Sequence, residues 1–226
     1  MGLLDDIEIT RKTMVVIFII DTSGSMEGWK MGAVNSGMME LISEIKEKSE
    51  EYSDALIKIA VLLYSDDARW ITDSPTGDFQ WKNLDASGSS NLGSAFKALN
   101  EKLSVKGFLP AVSEAFVPQL FLISGSKPSG DWEDALEMLK KSLRFKFSIK
   151  FAVAVGENAD KEALVRFAGS PELVFNTFDP SRLNKMIKFI DADDDRGSYL
   201  TSEEEEDRSS GEVKHTTPET DDDDVW

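Results

Sequence analysis

Short apolar runs alternate with segments of helical periodicity along the first 190 residues of the chain. Several of these runs are apolar at nearly every position, which is typical of parallel strands that helices cover on both faces. We therefore predict six strands: Met14–Ile20, Ile57–Leu63, Ala68–Ile71, Val117–Ile123, Ile149–Val155 and Leu173–Phe175.

Between these runs, apolar side chains recur at intervals of three or four residues, the period of an amphipathic helix. One such stripe begins at Val34 and ends at Ile45, and a second extends from Ala95 to Leu103. Further helices are predicted at Trp132–Leu143, Lys161–Phe167 and Arg182–Ile190. The alternation predicts an α/β fold with a doubly wound, mostly parallel central sheet, whose ligand site lies at the carboxyl ends of the strands.

The acidic residues are concentrated at one end of the chain. Of the net charge of −17, residues 191–226 contribute −12, from 15 acidic and 3 basic side chains. Apolar residues become scarce in the same segment, so it cannot bury enough surface to offset the entropy cost of ordering. We predict a domain over residues 1–191 and a disordered acidic tail over residues 192–226.

Composition excludes several functional classes. The chain has no cysteine, which excludes disulfide scaffolds, thiolate metal sites and cysteine nucleophiles. A polyanionic tail would repel nucleic acid and acidic lipid, so neither is an expected partner. The longest apolar run, Met14–Ile20, is too short to span a membrane, and acidic residues precede it where a signal peptide would be basic. We expect a cytoplasmic protein.

A polar segment, Asp21-Thr22-Ser23-Gly24-Ser25-Met26, directly follows the first predicted strand. Its carboxylate and two hydroxyls, at positions i, i+2 and i+4, are hard oxygen ligands of the kind that Mg²⁺ prefers. The same residues could instead satisfy backbone donors at the start of a helix. Spacing alone does not decide between these two interpretations.

The strand and this Asp-x-Ser-x-Ser segment resemble the opening of a von Willebrand factor A (VWA) domain, where the metal-ion-dependent adhesion site (MIDAS) begins. The resemblance covers about residues 10–190 and is closest to the bacterial tellurium-resistance (TerY-like) type. Three further segments are similar to the first helix and to the second and third metal loops of the family: 32–37, 89–93 and 122–132.

This resemblance implies a non-enzymatic binding module in which a partner's acidic side chain completes the coordination of a divalent cation, usually Mg²⁺. The implied metal ligands are Asp21, Ser23, Ser25 and Ser90, with Ser90 in place of the usual Thr. Gly125 stands where the family usually has Asp, which removes one carboxylate. We therefore expect Mg²⁺ to bind weakly or not at all without the partner, and Gly125→Asp to strengthen binding if the loop geometry follows that of the family. Alanine at Asp21, Ser25 or Ser90 is expected to weaken partner binding with little change in melting temperature.

The TerY-like resemblance also implies a role in bacterial stress response or tellurium resistance, with a protein kinase, a phosphatase or a forkhead-associated domain protein as partner. Trp29 and Trp81 are candidate anchors for a partner, or alternatively part of the core. Thr220, with Asp223 three residues later, is a candidate phosphorylation site in the tail. The alternative function is a metal-dependent phosphohydrolase of the same fold, which would need a second carboxylate or a general base near Asp21.

Overall fold

A computed structural model describes residues 11–52, 55–72, 77–103 and 115–188. The described strands are β1 (Lys12–Asp21), β2 (Ala55–Tyr64), β3 (Ala68–Trp70), β4 (Gln119–Ser124), β5 (Ile149–Ala154) and β6 (Val174–Phe175). All six predicted strands are present, with ends shifted by at most two residues. The predicted tail at 192–226, with Thr220, lies outside the described residues, and its disorder stays a prediction.

The strands form one six-stranded sheet in the order β3-β2-β1-β4-β5-β6. All neighbouring pairs are parallel except β2 and β3, which are antiparallel. The chain moves outward in one direction from β1 to β2 and in the other direction from β4 to β6. The order therefore reverses between β1 and β4, and in open α/β sheets the ligand crevice lies at such a reversal, beyond the carboxyl ends of the strands.

The described helices are α1 (Trp29–Glu51), α2 (Leu92–Leu103), α3 (Trp132–Leu139), α4 (Leu143–Phe147), α5 (Lys161–Ala168) and α6 (Pro180–Met186). The prediction of one helix over Trp132–Leu143 was wrong, because a turn at residues 140–142 separates α3 from α4. Helix α6 begins two residues earlier than predicted, where the Asp179 carboxylate accepts a hydrogen bond from the Arg182 backbone N–H at 3.1 Å.

The side chains of β1 divide between two cores, one on each face of the sheet. Val15, Ile17 and Ile19 belong to the core under α2, α3 and α5. Their neighbours at even positions, Met14 to Ile20, pack with α1 and α6. Both faces of β1 are therefore covered, which explains its unbroken apolar sequence and confirms the doubly wound fold. No helix in the described ranges is long and apolar enough to cross a membrane.

Candidate functional site

The carboxylate of Asp21 is the centre of the candidate site. Asp21 is the last residue of β1 and is completely buried. Its Oδ1 accepts a hydrogen bond from the Ser23 backbone N–H at 2.9 Å. Its Oδ2 accepts hydrogen bonds from three serine hydroxyls, those of Ser90 at 3.2 Å, Ser124 at 2.9 Å and Ser126 at 2.6 Å. Four donors from three loops thus converge on one buried negative charge.

Backbone hydrogen bonds hold the first two of these loops together. The bond between Asp21 and Ser23 closes a turn of the kind that Asp side chains favour. The next residues bond to the second loop, with Gly24 N–H donating to the Gly88 carbonyl at 2.9 Å. Gly88 has a φ of 80°, a left-handed conformation in which a side chain would be strained. The loop geometry is therefore set by local backbone bonding as well as by the serines.

The structure brings together three of the four predicted metal ligands. Asp21, Ser23 and Ser90 are buried and lie within one hydrogen-bonded cluster. Ser23 Oγ is 3.5 Å from Ser126 Oγ and donates to it, because the Ser126 hydroxyl hydrogen is already directed at Asp21. Ser25 is exposed, and no hydrogen bond within the described residues joins it to Asp21. Ser124 and Ser126 take part although the sequence analysis did not select them.

Tyr64, the last residue of β2, places a phenol beside this cluster. The side chain is completely buried, and burial together with the nearby Asp21 charge raises its pKa well above the ordinary value. Ser90 and Ser124 lie close to the phenol, but their hydroxyls are directed at Asp21, and the Tyr64 hydroxyl is left without a hydrogen bond of good geometry. Tyr64 is thus a buried polar group that weakens the fold.

Tyr64→Phe is expected to raise the free energy of unfolding by about 1 kcal/mol, because it removes a buried hydroxyl that lacks a partner. The parent chain should lose stability above about pH 10, where an unfolded tyrosine releases its proton while folded Tyr64 keeps it. The variant should lose less. Urea unfolding at pH 8 and at pH 10.5 measures both effects, with Tyr52→Phe, at a 42% exposed residue, as the control. A loss of stability in Tyr64→Phe at pH 8 would contradict this assignment.

Gly125 follows β4 and is tightly enclosed. A Cβ atom at this position would lie 2.6 Å from Met26 Sδ and 2.6 Å from the Val155 carbonyl oxygen. These distances are shorter than real Cβ contacts, and the carbonyl belongs to the backbone, so it cannot simply rotate away. The expectation that Gly125→Asp would strengthen metal binding stays a prediction that this geometry does not favour, because a side chain at position 125 would be crowded.

Lys30, the second residue of α1, is the feature that the sequence analysis missed. It is only 8% exposed, and its ammonium donates to the Gly125 carbonyl at 2.6 Å. A signal was present, because Lys30 precedes Val34 and Met38 by four and eight residues on the buried stripe of α1. A lysine at this spacing lies on the buried face of the helix, which indicates a buried amine. The predicted stripe begins at Val34, one turn after Lys30, and therefore leaves this lysine out.

The two tryptophans proposed as partner anchors differ in their surroundings. Trp29 is 67% exposed. Its indole lies 3.2 Å from the position that a Cβ on Gly156 would occupy, beside the Lys30 side chain. Trp81 is partly buried, packs against the core on the α1 side of the sheet and stacks edge-to-face with Phe79. Only Trp29 therefore presents most of its surface near the candidate site.

The oxygen atoms of this cluster do not fit a bound Mg²⁺ ion. Asp21 is the only carboxylate in the hydrogen-bonded cluster, and both of its oxygens already accept hydrogen bonds. Mg²⁺ sheds its hydration water reluctantly and needs negative charge to offset that cost. Within the described parts of the chain, no group of three or more His, Cys, Asp or Glu side chains is placed to hold a metal. The three hydroxyls supply the hydrogen bonds that stabilise the Asp21 charge.

Solved structures of similar fold share low sequence identity with this chain. A von Willebrand factor type A protein from Catenulispora acidiphila has a TM-score of 0.56 at 18% identity, over 78% of this chain and 41% of that one. The pilus adhesin SpaC from Lactobacillus rhamnosus GG has a TM-score of 0.55 at 10% identity, over 77% and 30%. Proximal thread matrix protein 1 from the mussel byssus, with a zinc-occupied MIDAS motif, has a TM-score of 0.51 at 17% identity, over 80% and 45%.

The chain spans less than half the length of each of these solved structures. At these identities the likeness establishes the fold and no shared binding property. The family model for the von Willebrand factor type A domain matches residues 16–189, which is most of the chain and includes every described strand except the first four residues of β1. The chain belongs to the von Willebrand factor type A domain family.

Proposed function

We propose that this chain is a non-enzymatic interaction module that binds a partner protein through the loops at the carboxyl edge of its sheet. The observation that carries the proposal is the convergence of the loops after β1, β3 and β4 at Asp21, next to the exposed indole of Trp29. Family membership supports it, since VWA domains are in general interaction modules. The adhesin and the byssal matrix protein of similar fold agree with such a role.

We further propose that the MIDAS position of this chain is degenerate and that it holds Mg²⁺ weakly or not at all without a partner. The single carboxylate at Asp21 and the enclosed Gly125 support this. The geometry of the site does not favour the alternative function, a metal-dependent phosphohydrolase. It would need a carboxylate free to bind metal or activate water, and Asp21 accepts four hydrogen bonds.

The finer assignment is a cytoplasmic, TerY-like protein in a bacterial stress-response or tellurium-resistance system. The motif resemblance given above supports it. In that setting the partner is a protein kinase, a phosphatase or a forkhead-associated domain protein, and it supplies an acidic side chain to the carboxyl edge of the sheet. The partner's acid would then be the ligand group that this edge recognises.

A capture experiment with matched aromatic variants tests the proposed function. The tagged full chain is recovered from its own cells, and bound proteins are quantified by mass spectrometry. Trp29→Ala is expected to reduce partner recovery at least about fivefold, because truncation of a tryptophan at a contact surface often costs more than about 1 kcal/mol of binding. Phe147→Ala is the control, since Phe147 is 54% exposed but precedes β5, at the opposite edge of the sheet. An equal effect of both variants, or of neither, would reject this surface.

A further inference from the structure

Lys30 lies at the end of α1 where a positive charge is least expected. Helix α1 has 23 residues, and its first turn contains no acidic residue. The amino end of a helix carries a partial positive charge, so an ammonium there is disfavoured unless an anion is close. The ammonium of Lys30 is also buried, which adds a desolvation cost. Both effects favour the approach of an anion to this ammonium.

The hydrogen bonding of Lys30 is incomplete. An ammonium has three donor hydrogens, and the structure gives this one a single acceptor, the Gly125 carbonyl at 2.6 Å. Among the described residues, no carboxylate lies within ion-pair distance of Lys30 Nζ. Lysines that are buried to this extent are normally paired. Two donor hydrogens therefore remain available to a ligand.

A cavity of about 400 Å³ lies beside this cation at the carboxyl edge of the sheet. It is lined by Ser25, Lys30, Ser126, Lys127, Glu157 and Asn158, together with Ala159. Ser126 also donates to Asp21, so the cavity adjoins the hydrogen-bonded cluster described above. Lys127 and Glu157 are exposed and of opposite sign, so they contribute little net charge. Among the residues that line the cavity, Lys30 is then the one buried side chain that carries a charge.

Two glycines make room for the Lys30 side chain. Its Cδ lies 3.2 Å from where a Cβ on Gly125 would be, and its Cε lies 3.0 Å from the corresponding position on Gly156. Any larger residue at either position would press on the lysine. Gly125 is also the residue that replaces the usual Asp of the family's third metal loop. The loss of that carboxylate and the burial of this amine thus occur at the same place.

We propose that this cavity binds the carboxylate of a partner's acidic side chain directly, through Lys30 Nζ and without a metal ion. Lys30 supplies the positive charge that a metal ion would otherwise supply. The cavity lining contains the cations Lys30 and Lys127 and the anion Glu157, a net charge of +1 that fits a monoanion better than a phosphate dianion. Trp29, next to Lys30, offers an apolar contact to the residues that flank the acid. This inference rests on the proposed function for the identity of the partner but not for the chemistry of the cavity.

The chemistry is tested on the full chain labelled with ¹⁵N and ¹³C at lysine, in the presence of EDTA. Sodium acetate is expected to shift the Lys30 side-chain resonance saturably, and acetamide, its neutral counterpart, is expected not to. The spectrum of Lys30→Met assigns that resonance, and Lys146→Met, at an exposed lysine that does not line the cavity, should leave the shift intact. No saturable shift, an equal shift with acetamide, or a shift that requires Mg²⁺ would overturn the proposal. Stronger binding of inorganic phosphate than of acetate would overturn the choice of carboxylate.

The same variants distinguish a failure of this inference from a failure of the proposed function. In the capture experiment with EDTA present, Lys30→Met is expected to reduce partner affinity roughly 30-fold or more, as when one member of a buried charge pair is removed. Thermal unfolding of Lys30→Met verifies that the variant folds, and Lys30→Gln replaces it if it does not. Undiminished capture by a folded Lys30 variant overturns the inference and leaves the interaction role standing. A saturable acetate shift without any captured partner supports the cavity chemistry and rejects the proposed function.

Discussion

Asp21→Ala is expected to lower the free energy of unfolding by about 4 kcal/mol. The substitution leaves the Ser124 and Ser126 hydroxyls and the Ser23 N–H without their acceptor in a buried site, along with the more weakly bonded Ser90. Each buried donor that loses its partner costs roughly 1–3 kcal/mol, although some will find a new acceptor or water. Denaturant unfolding at neutral pH measures the loss.

Asp66→Ala is the matched control for this substitution. Asp66 also accepts two hydrogen bonds from a neighbouring loop, from the N–H and hydroxyl of Ser89, but it is exposed. Water replaces the lost acceptor there, so a much smaller destabilisation is expected. Equal losses in the two variants would contradict the view that Asp21 organises the loops. The structure thus revises the sequence-based expectation of an unchanged melting temperature for Asp21, whereas the exposed Ser25 retains it.

Substitution of Gly125 is expected to have the second large effect. Gly125→Ala should cost about 3 kcal/mol, because the new methyl group overlaps Met26 Sδ and the Val155 carbonyl. Gly125→Asp should cost at least as much, since it adds a carboxylate to the same overlap. Calorimetric titration with Mg²⁺ is expected to give no saturable heat with the parent chain or with either variant that still folds.

Gly32→Ala is the control for this pair. Gly32 lies within α1, and nothing stands within 4 Å of the position that its Cβ would take. Alanine there should raise stability by about 0.5–1 kcal/mol, as expected inside a helix. If Gly125→Asp proved as stable as the parent and bound Mg²⁺ tightly, the loop would be able to open. The original hypothesis of a restorable metal site would then hold.

The fold could be predicted from the sequence because its signals are periodic and local. The unbroken apolar run of β1 indicates a strand covered on both faces, and the structure shows its residues alternating between two cores. The ends of the helices are harder to predict from the sequence. The break between α3 and α4 falls at residues 140–142, where no glycine or proline marks it.

The sequence indicated most of the residues of the cluster around Asp21 but not how their side chains are arranged. Asp21, Ser23 and Ser90, which the motifs indicated, lie together in one hydrogen-bonded cluster, and their role as metal ligands stays a prediction. Spacing could not tell whether hydroxyls face a metal or donate to the carboxylate, which depends on distances of a few tenths of an ångström. Nor could it reveal that Ser126 comes within 2.6 Å of Asp21, a contact across more than a hundred residues.

The close approach of the Lys30 side chain to Gly125 and Gly156 has a consequence for how these three positions vary among relatives. A Cβ at position 125 would lie 3.2 Å from the Lys30 side chain and one at position 156 would lie 3.0 Å from it, so a larger residue at either position would press on the lysine. The three positions should therefore change together among relatives, as residues in tight contact do. Relatives with lysine as the second residue of the first helix are therefore expected to have glycine after both the fourth and the fifth strands.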